Sequence, residues 1–181
     1  MKKVCTIAFM ALTMTFATDA VAQDFSGMDK SPMDMVSYPP IHDTSDILVR
    51  VIYSRPQLKG RSLSELAPTG KVWRTGANEA SQITFYKDVN FGGKDIEAGT
   101  YSLFTIPGEQ EWTVVLNRNV NQWGAYSYEE SADVARVKVP NGSEGKSLEE
   151  FSIAFKDVEN GAHMVMGWDK TRVAVPITFE G

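Results

Sequence analysis

The sequence predicts an all-β fold: an antiparallel β-sandwich, jelly-roll-like or flattened into a barrel, with one or two very short helices. Three observations predict it. Short runs of alternating apolar and polar residues follow one another at close spacing from residue 47 to residue 179. Turn-forming pairs separate several of them, at Gly92-Gly93, Pro107-Gly108 and Asn141-Gly142. Helix starts are few and short. The length of 181 residues, with 43% hydrophobic and 23% charged side chains, suits one packed domain and excludes a disordered chain.

The elements read in order as follows. Residues 1–22 form a secretory signal peptide. Lys2 and Lys3 lead, an apolar run follows to about Ala17, and Ala20-Val21-Ala22 supplies a small-x-small cleavage site before Gln23. The apolar run is too short to span a membrane, and no second one follows. Cleavage after Ala22 removes Cys5, the one cysteine, so the mature chain has no thiol and no disulfide. It also removes Lys2, Lys3 and Asp19, which takes the 18 basic and 23 acidic side chains to 16 and 22. An acidic chain of this kind disfavours nucleic acid as a partner. The expected location is periplasmic or secreted.

Residues 23–45 contain Pro32, Pro39 and Pro40 and read as an extended leader lying along the domain formed by residues 46–181. Residues 47–54 alternate, with Ile47, Val49, Val51 and Tyr53 on one face. Further strands are expected over residues 82–87, 100–106, 112–117, 134–139, 151–156, 163–168 and 172–179, with a hairpin turn at residues 91–94. Pro176 places an edge or a bulge in the last strand. Ser62-Leu63-Ser64-Glu65 has capping-box spacing, and Pro68 limits that helix to one or two turns. Residues 127–130 offer a second short start.

Much familiar chemistry is missing. The two histidines, His42 and His163, are far apart, so a zinc site would need carboxylates to complete it, and no metal or cofactor is expected. There is no G-x-S-x-G elbow, no phosphate loop and no dinucleotide fingerprint. Carboxylates, arginines and tyrosines remain, and no catalytic residue is assigned.

Three segments stand out. The first runs from Tyr53 to Arg61, where Pro56 holds Arg55 extended and the loop carries Arg55, Lys59 and Arg61. Guanidinium forks of this kind could grip a carboxylate or phosphate. The plainer reading pairs each arginine with a local acid such as Glu65 or Glu79. The second, Val72 to Ala80, sets Trp73 and Arg74 beside Gly76 and ends on Asn78 and Glu79. Here Trp73 could stack on a sugar or base while Asn78 and Glu79 bond hydroxyls; alternatively Trp73 plugs one end of the core. The third, Asn117 to Tyr128, is rich in amides and aromatics, which suits carbohydrate contact through Trp123 and Tyr126 or simply pins a long loop. Trp112 alternates with Val114 and Leu116, and Trp168 with Met164 and Met166, so both belong to the core.

Read in order, these segments resemble an uncharacterised bacterial family, domain of unknown function 2911. The motifs that carry the resemblance are Y-S-R-P-x-x-K-G-R from Tyr53, V-W-R-T-G-A-N-E-A from Val72, G-G-K-x-I-x-A-G-T-Y-S-L-F-T-I-P from Gly92, W-T-V-V-L-N from Trp112 and W-D-x-T-x-V-x-V-P-I from Trp168. The resemblance runs from about Ser31 to Phe179 and implies an exported protein of Bacteroidota-type bacteria. It carries over no catalytic residues.

Three functions fit. The first is a non-catalytic binding module for a glycan or another polar small molecule, with Arg55, Arg61, Trp73, Arg74, Asn78, Glu79, Trp123 and Tyr126 as candidate contacts. The second is a carboxylate-based enzyme acting on a carbohydrate or anionic substrate, with Glu79 or Asp133 as acid or base. The third is a structural envelope protein in which the arginine and tryptophan motifs are internal staples.

Overall fold

A computed structural model of the chain describes residues 24–40, 42 and 46–179. The expected signal peptide and its cleavage site lie outside the described residues. Two antiparallel sheets face each other as a β-sandwich and do not close into a barrel. The first has six strands in the order β1-β2-β3-β6-β7-β8, and the second has four in the order β5-β4-β10-β9. The strands are β1 (Met33–Tyr38), β2 (Val49–Ser54), β3 (Ser81–Phe85), β4 (Val89–Phe91), β5 (Lys94–Ile96), β6 (Gly99–Ile106), β7 (Glu111–Asn117), β8 (Asp133–Pro140), β9 (Gly142–Val158) and β10 (Gly161–Phe179).

Alternation within each strand decides what faces the core. Val49, Val51 and Tyr53 of β2 point inward beside Ile83 and Phe85 of β3, because Val49 lies opposite Phe85 and Val51 opposite Ile83. Trp112, Val114 and Leu116 of β7 continue this layer. Met164, Met166 and Trp168 of β10 close it from the second sheet, with Phe151 and Ile153 of β9. Both core tryptophans expected from periodicity are therefore in place.

The segment expected as a leader contributes a strand. β1 pairs with β2 from Met33 opposite Ser54 to Tyr38 opposite Val49, and so forms one edge of the larger sheet. Its inner side chains, Val36 and Tyr38, pack on the core, and its outer ones, Met33 and Met35, stay exposed. Apolar residues in both phases hid this strand from period-2 reading.

The predicted capping box forms. Ser62 accepts from the Glu65 amide, and the Glu65 carboxylate accepts from the Ser62 amide, which starts α1 (Leu63–Leu66). The second short start appears three residues later, as one 3-10 turn over Glu130–Ala132.

The last strand combines two that the sequence separates. Straight, β10 would hold Gly161 and Ile177 about 53 Å apart. Instead a Cβ on Gly161 would collide with the Ile177 carbonyl oxygen, so β10 doubles back. Register shifts on both sides of Asp169, whose φ is 48°, mark the bend. Pro176 sits at the end of the pairing with β4, which begins at Ile177; its carbonyl accepts from the Gly92 amide, and the pairing with β9 ends at Arg172.

Candidate functional site: a groove beside Trp123

The first motif is a crossing between the two sheets. After β2 the Arg55 amide still bonds the Pro32 carbonyl in the larger sheet. One residue later, the Pro56 carbonyl accepts from Phe151, and the Leu58 amide bonds Glu149, both on β9. Arg55 holds this corner. Its Nε donates to the Phe151 carbonyl at 3.2 Å, one Nη to Asp34 at 3.2 Å and the other to the Ser152 hydroxyl at 2.8 Å. Arg61 folds back on its own loop, donating to the carbonyls of Leu58 and Gln57. Neither arginine makes a hydrogen bond or ion pair with Glu65 or Glu79: Glu65 is held in the helix cap, where Arg61 acts on it only through its charge, and Arg55 uses Asp34 from β1.

The second motif is a tight loop that divides its residues between core and surface. Trp73 exchanges both backbone hydrogen bonds with Thr105 of β6, which pulls the ring inward to 7% exposure. It stacks on Trp168 with centroids 5.4 Å apart and meets Phe151 and Trp112 edge-on. No ligand reaches it there. Arg74 is a brace: its guanidinium donates to the Asn78 carbonyl, which also accepts from the Gly124 amide. Gly76 lies so close to the Ser54 carbonyl and the Ser81 hydroxyl that a Cβ would stand 3.0 Å from each.

The third segment is joined to the second. Glu79 and Trp123 form an antiparallel bridge, flanked by the Ala80 amide to the Gln122 carbonyl. The loop is pinned from below. Asn117 donates to the Glu129 carbonyl and to Asp133, and Tyr128 packs edge-on against Phe104. Asp133 also accepts from Tyr128 at 2.6 Å and Arg136 at 2.8 Å. Burial, with the Asp133 carboxylate beside it, pushes the Tyr128 phenol far above its ordinary range. Asp133 is thus a structural anchor beneath the loop.

With these side chains occupied, the surface of the loop presents Glu79, Asn78, Trp123 and Tyr126. Trp123 is 61% exposed, whereas the other three tryptophans are buried. The bridge sets its ring along one wall of a hollow of about 310 Å³. Asn78 and Glu79 belong to the same wall, Ser54 faces it, and Asp29, Ser31 and Met33 form the opposite wall. A second hollow of about 220 Å³ shares Met33, Ser54 and Glu79 and continues past Ile52 and Gln82, making one groove along the outer face of the larger sheet. Gln82 donates to Asn121 at the base of the Trp123 loop. Tyr126 is 85% exposed but does not line the groove; its ring covers Gly124.

Asp29 ties the leader to the loop. Its Oδ1 accepts from the Ser31 amide at 2.7 Å and from the Asn78 side chain at 3.1 Å. These donors, the amide first, hold its carboxyl below the usual carboxylate range. Folding therefore favours the ionised form. The contribution is complete above the unfolded value of about 3.9 and is lost as pH falls through the lower folded value. In an NMR titration the Asp29 carboxyl is expected to have its midpoint below 3.9; a midpoint at or above it would show that the leader is not held to Asn78 in solution.

The sequence pointed to the Glu79–Trp123 wall and missed the opposite one. Asp29, Ser31 and Met33 lie in a segment without period, and their place follows only from β1 pairing with β2. A larger hollow of about 530 Å³ lies elsewhere on this outer face, beside Arg50 and Lys87. Its one aromatic, Tyr86, already carries the Arg50 guanidinium 5.7 Å from its ring centre. Among the described residues, no group of three or more His, Cys, Asp or Glu is placed to hold a metal ion, and no helix is long and apolar enough to cross a membrane.

Neither the curated proteins nor the solved structures contain a match to this chain. Among family models, the one described as "Protein of unknown function (DUF2911)" matches residues 31–177, a span that includes the Arg55 crossing, the Trp73 plug and both motif-borne parts of the groove wall, and the chain belongs to that family.

Proposed function

We propose that the protein is an exported, non-catalytic binding module that takes a glycan or another polar small molecule in the groove beside Trp123. One observation carries this reading: a large aromatic face is held open to solvent by a rigid backbone bridge, next to carboxylate, amide and hydroxyl groups in a single hollow. The stacking face suits the apolar side of a sugar ring, and the polar groups suit its hydroxyls. Export rests on the charged, apolar and cleavage regions that follow one another over residues 1–22.

Catalysis has less support. Glycoside cleavage needs a carboxylic acid whose pKa is raised by an apolar enclosure. The hollow does contain two carboxylates, Asp29 and Glu79, but Asp29 is shifted in the opposite direction and Glu79 stands on the exposed rim. Asp133 lies beneath the loop with its oxygens already bonded.

Trp123 provides its own readout, because it is the one exposed tryptophan among four. A bound glycan is expected to protect the intrinsic fluorescence from iodide quenching. Trp123→Ala is expected to reduce affinity about 5- to 150-fold, on the basis of about 1–3 kcal/mol for a lost stacking surface, while thermal stability stays within about 0.5 kcal/mol of the parent. A glycan panel that protects Trp123 nowhere, or a ligand whose affinity survives Trp123→Ala, would remove the groove from consideration.

A further inference from the structure

Resting on the groove reading, we infer that the ligand carries a protonated amine, and that an amino sugar is its class. The polarity of the site is the reverse of what the arginines of the first two motifs suggest. Arg55 and Arg61 are bonded elsewhere, and Arg74 lies behind the groove wall, on the Asn78 carbonyl. None of the residues lining the hollow is basic, and two of them, Asp29 and Glu79, are carboxylates. The Glu79 carboxylate makes no hydrogen bond or ion pair to any other described residue, so an incoming donor breaks no bond among them. Asp29 has its Oδ1 bonded to Ser31 and Asn78, while its Oδ2 accepts no hydrogen bond from another described residue.

An aromatic face adds to this preference. The π-face of Trp123 attracts a cation as well as an apolar ring face. Carboxylates and an indole around one open hollow select an ammonium group next to an apolar surface, and they repel phosphate, sulfate and uronic acids. An amino sugar combines the two features: a pyranose face for Trp123 and an ammonium within reach of Glu79 and Asp29.

The test compares three oligosaccharides of equal length, a glucosamine oligomer, its N-acetylated form and a neutral glucose oligomer, with a linear diamine as the non-sugar amine. Binding is read by calorimetry and by protection of Trp123 from quenching, at low and high salt. The glucosamine oligomer is expected to bind about tenfold more tightly than its acetylated form at low salt, with the advantage shrinking as salt rises. Glu79→Gln is expected to reduce that advantage about fivefold. Because the Glu79 carboxylate bonds no other described residue, this variant keeps the fold. Equal binding of the free and acetylated oligomers overturns the amine assignment while leaving the groove as a glycan site. Binding of the diamine as tightly as the glucosamine oligomer overturns the sugar part of the assignment. Failure of every oligosaccharide to protect Trp123 overturns the groove reading itself.

Discussion

Replacing Trp73 with alanine is expected to destabilise the protein by about 3–5 kcal/mol, the range for removing a large buried aromatic and leaving a cavity. The ring lies at the meeting point of Trp168, Phe151 and Trp112, which come from both sheets. Truncation would open a void that none of these rings can fill without leaving its own partners. Because the total stability of a domain is about 5–15 kcal/mol, such a loss is a large share of it. Urea denaturation gives the measurement, with Trp123→Ala as the internal contrast. The sequence offers both tryptophans as ligand contacts; the structure predicts a difference of at least 2 kcal/mol between them, given about 0.5 kcal/mol or less for a surface change. Equal effects would contradict the placement of Trp73 in the core.

Arg55→Met is expected to cost about 2–3 kcal/mol, and Arg55→Lys nearly as much. The ion pair with Asp34 contributes little of this, because the two side chains are 34% and 41% exposed and solvent screens them. The larger part comes from the planar guanidinium reaching the Phe151 carbonyl and the Ser152 hydroxyl together, across the corner between the sheets. An ammonium cannot satisfy both directions and Asp34 at once. Asp34→Asn is accordingly expected to cost under about 1 kcal/mol. If Asp34→Asn proved as damaging as Arg55→Met in thermal or urea unfolding, the ion pair would be the dominant contact and this account would fail.

These two predictions show how the family's motifs divide. The Arg55 and Trp73 side chains are staples of the sandwich, one at the corner between the sheets and one between their inner faces. The groove takes Asn78 and Glu79 from the end of the second motif and Ser54 from the first, and joins them to Trp123 from a segment more than 40 residues on. A staple of the sandwich and a wall of the groove thus share one loop.

The sequence by itself determined the fold class, because alternation is a local property. Residues such as Val49, Val51 and Tyr53 declare their inward face through their own neighbours, whatever they pair with. The hairpin at Gly92-Gly93, the Ser62 capping box, the break near Asp169 and the core positions of Trp112 and Trp168 were legible for the same reason. The tertiary structure alone decided the loops and the leader. Loops have no period, so nothing local assigns a face to Trp73 or Trp123, and their fates diverge over contacts with Trp168 and Glu79. The partners of Arg55 lie 21 and 96 residues away along the chain, on β1 and β9. The acidic character of the groove is of the same kind: it exists only because β1 carries the leader across to the Glu79 loop, bringing Asp29 to a wall that the motifs supply.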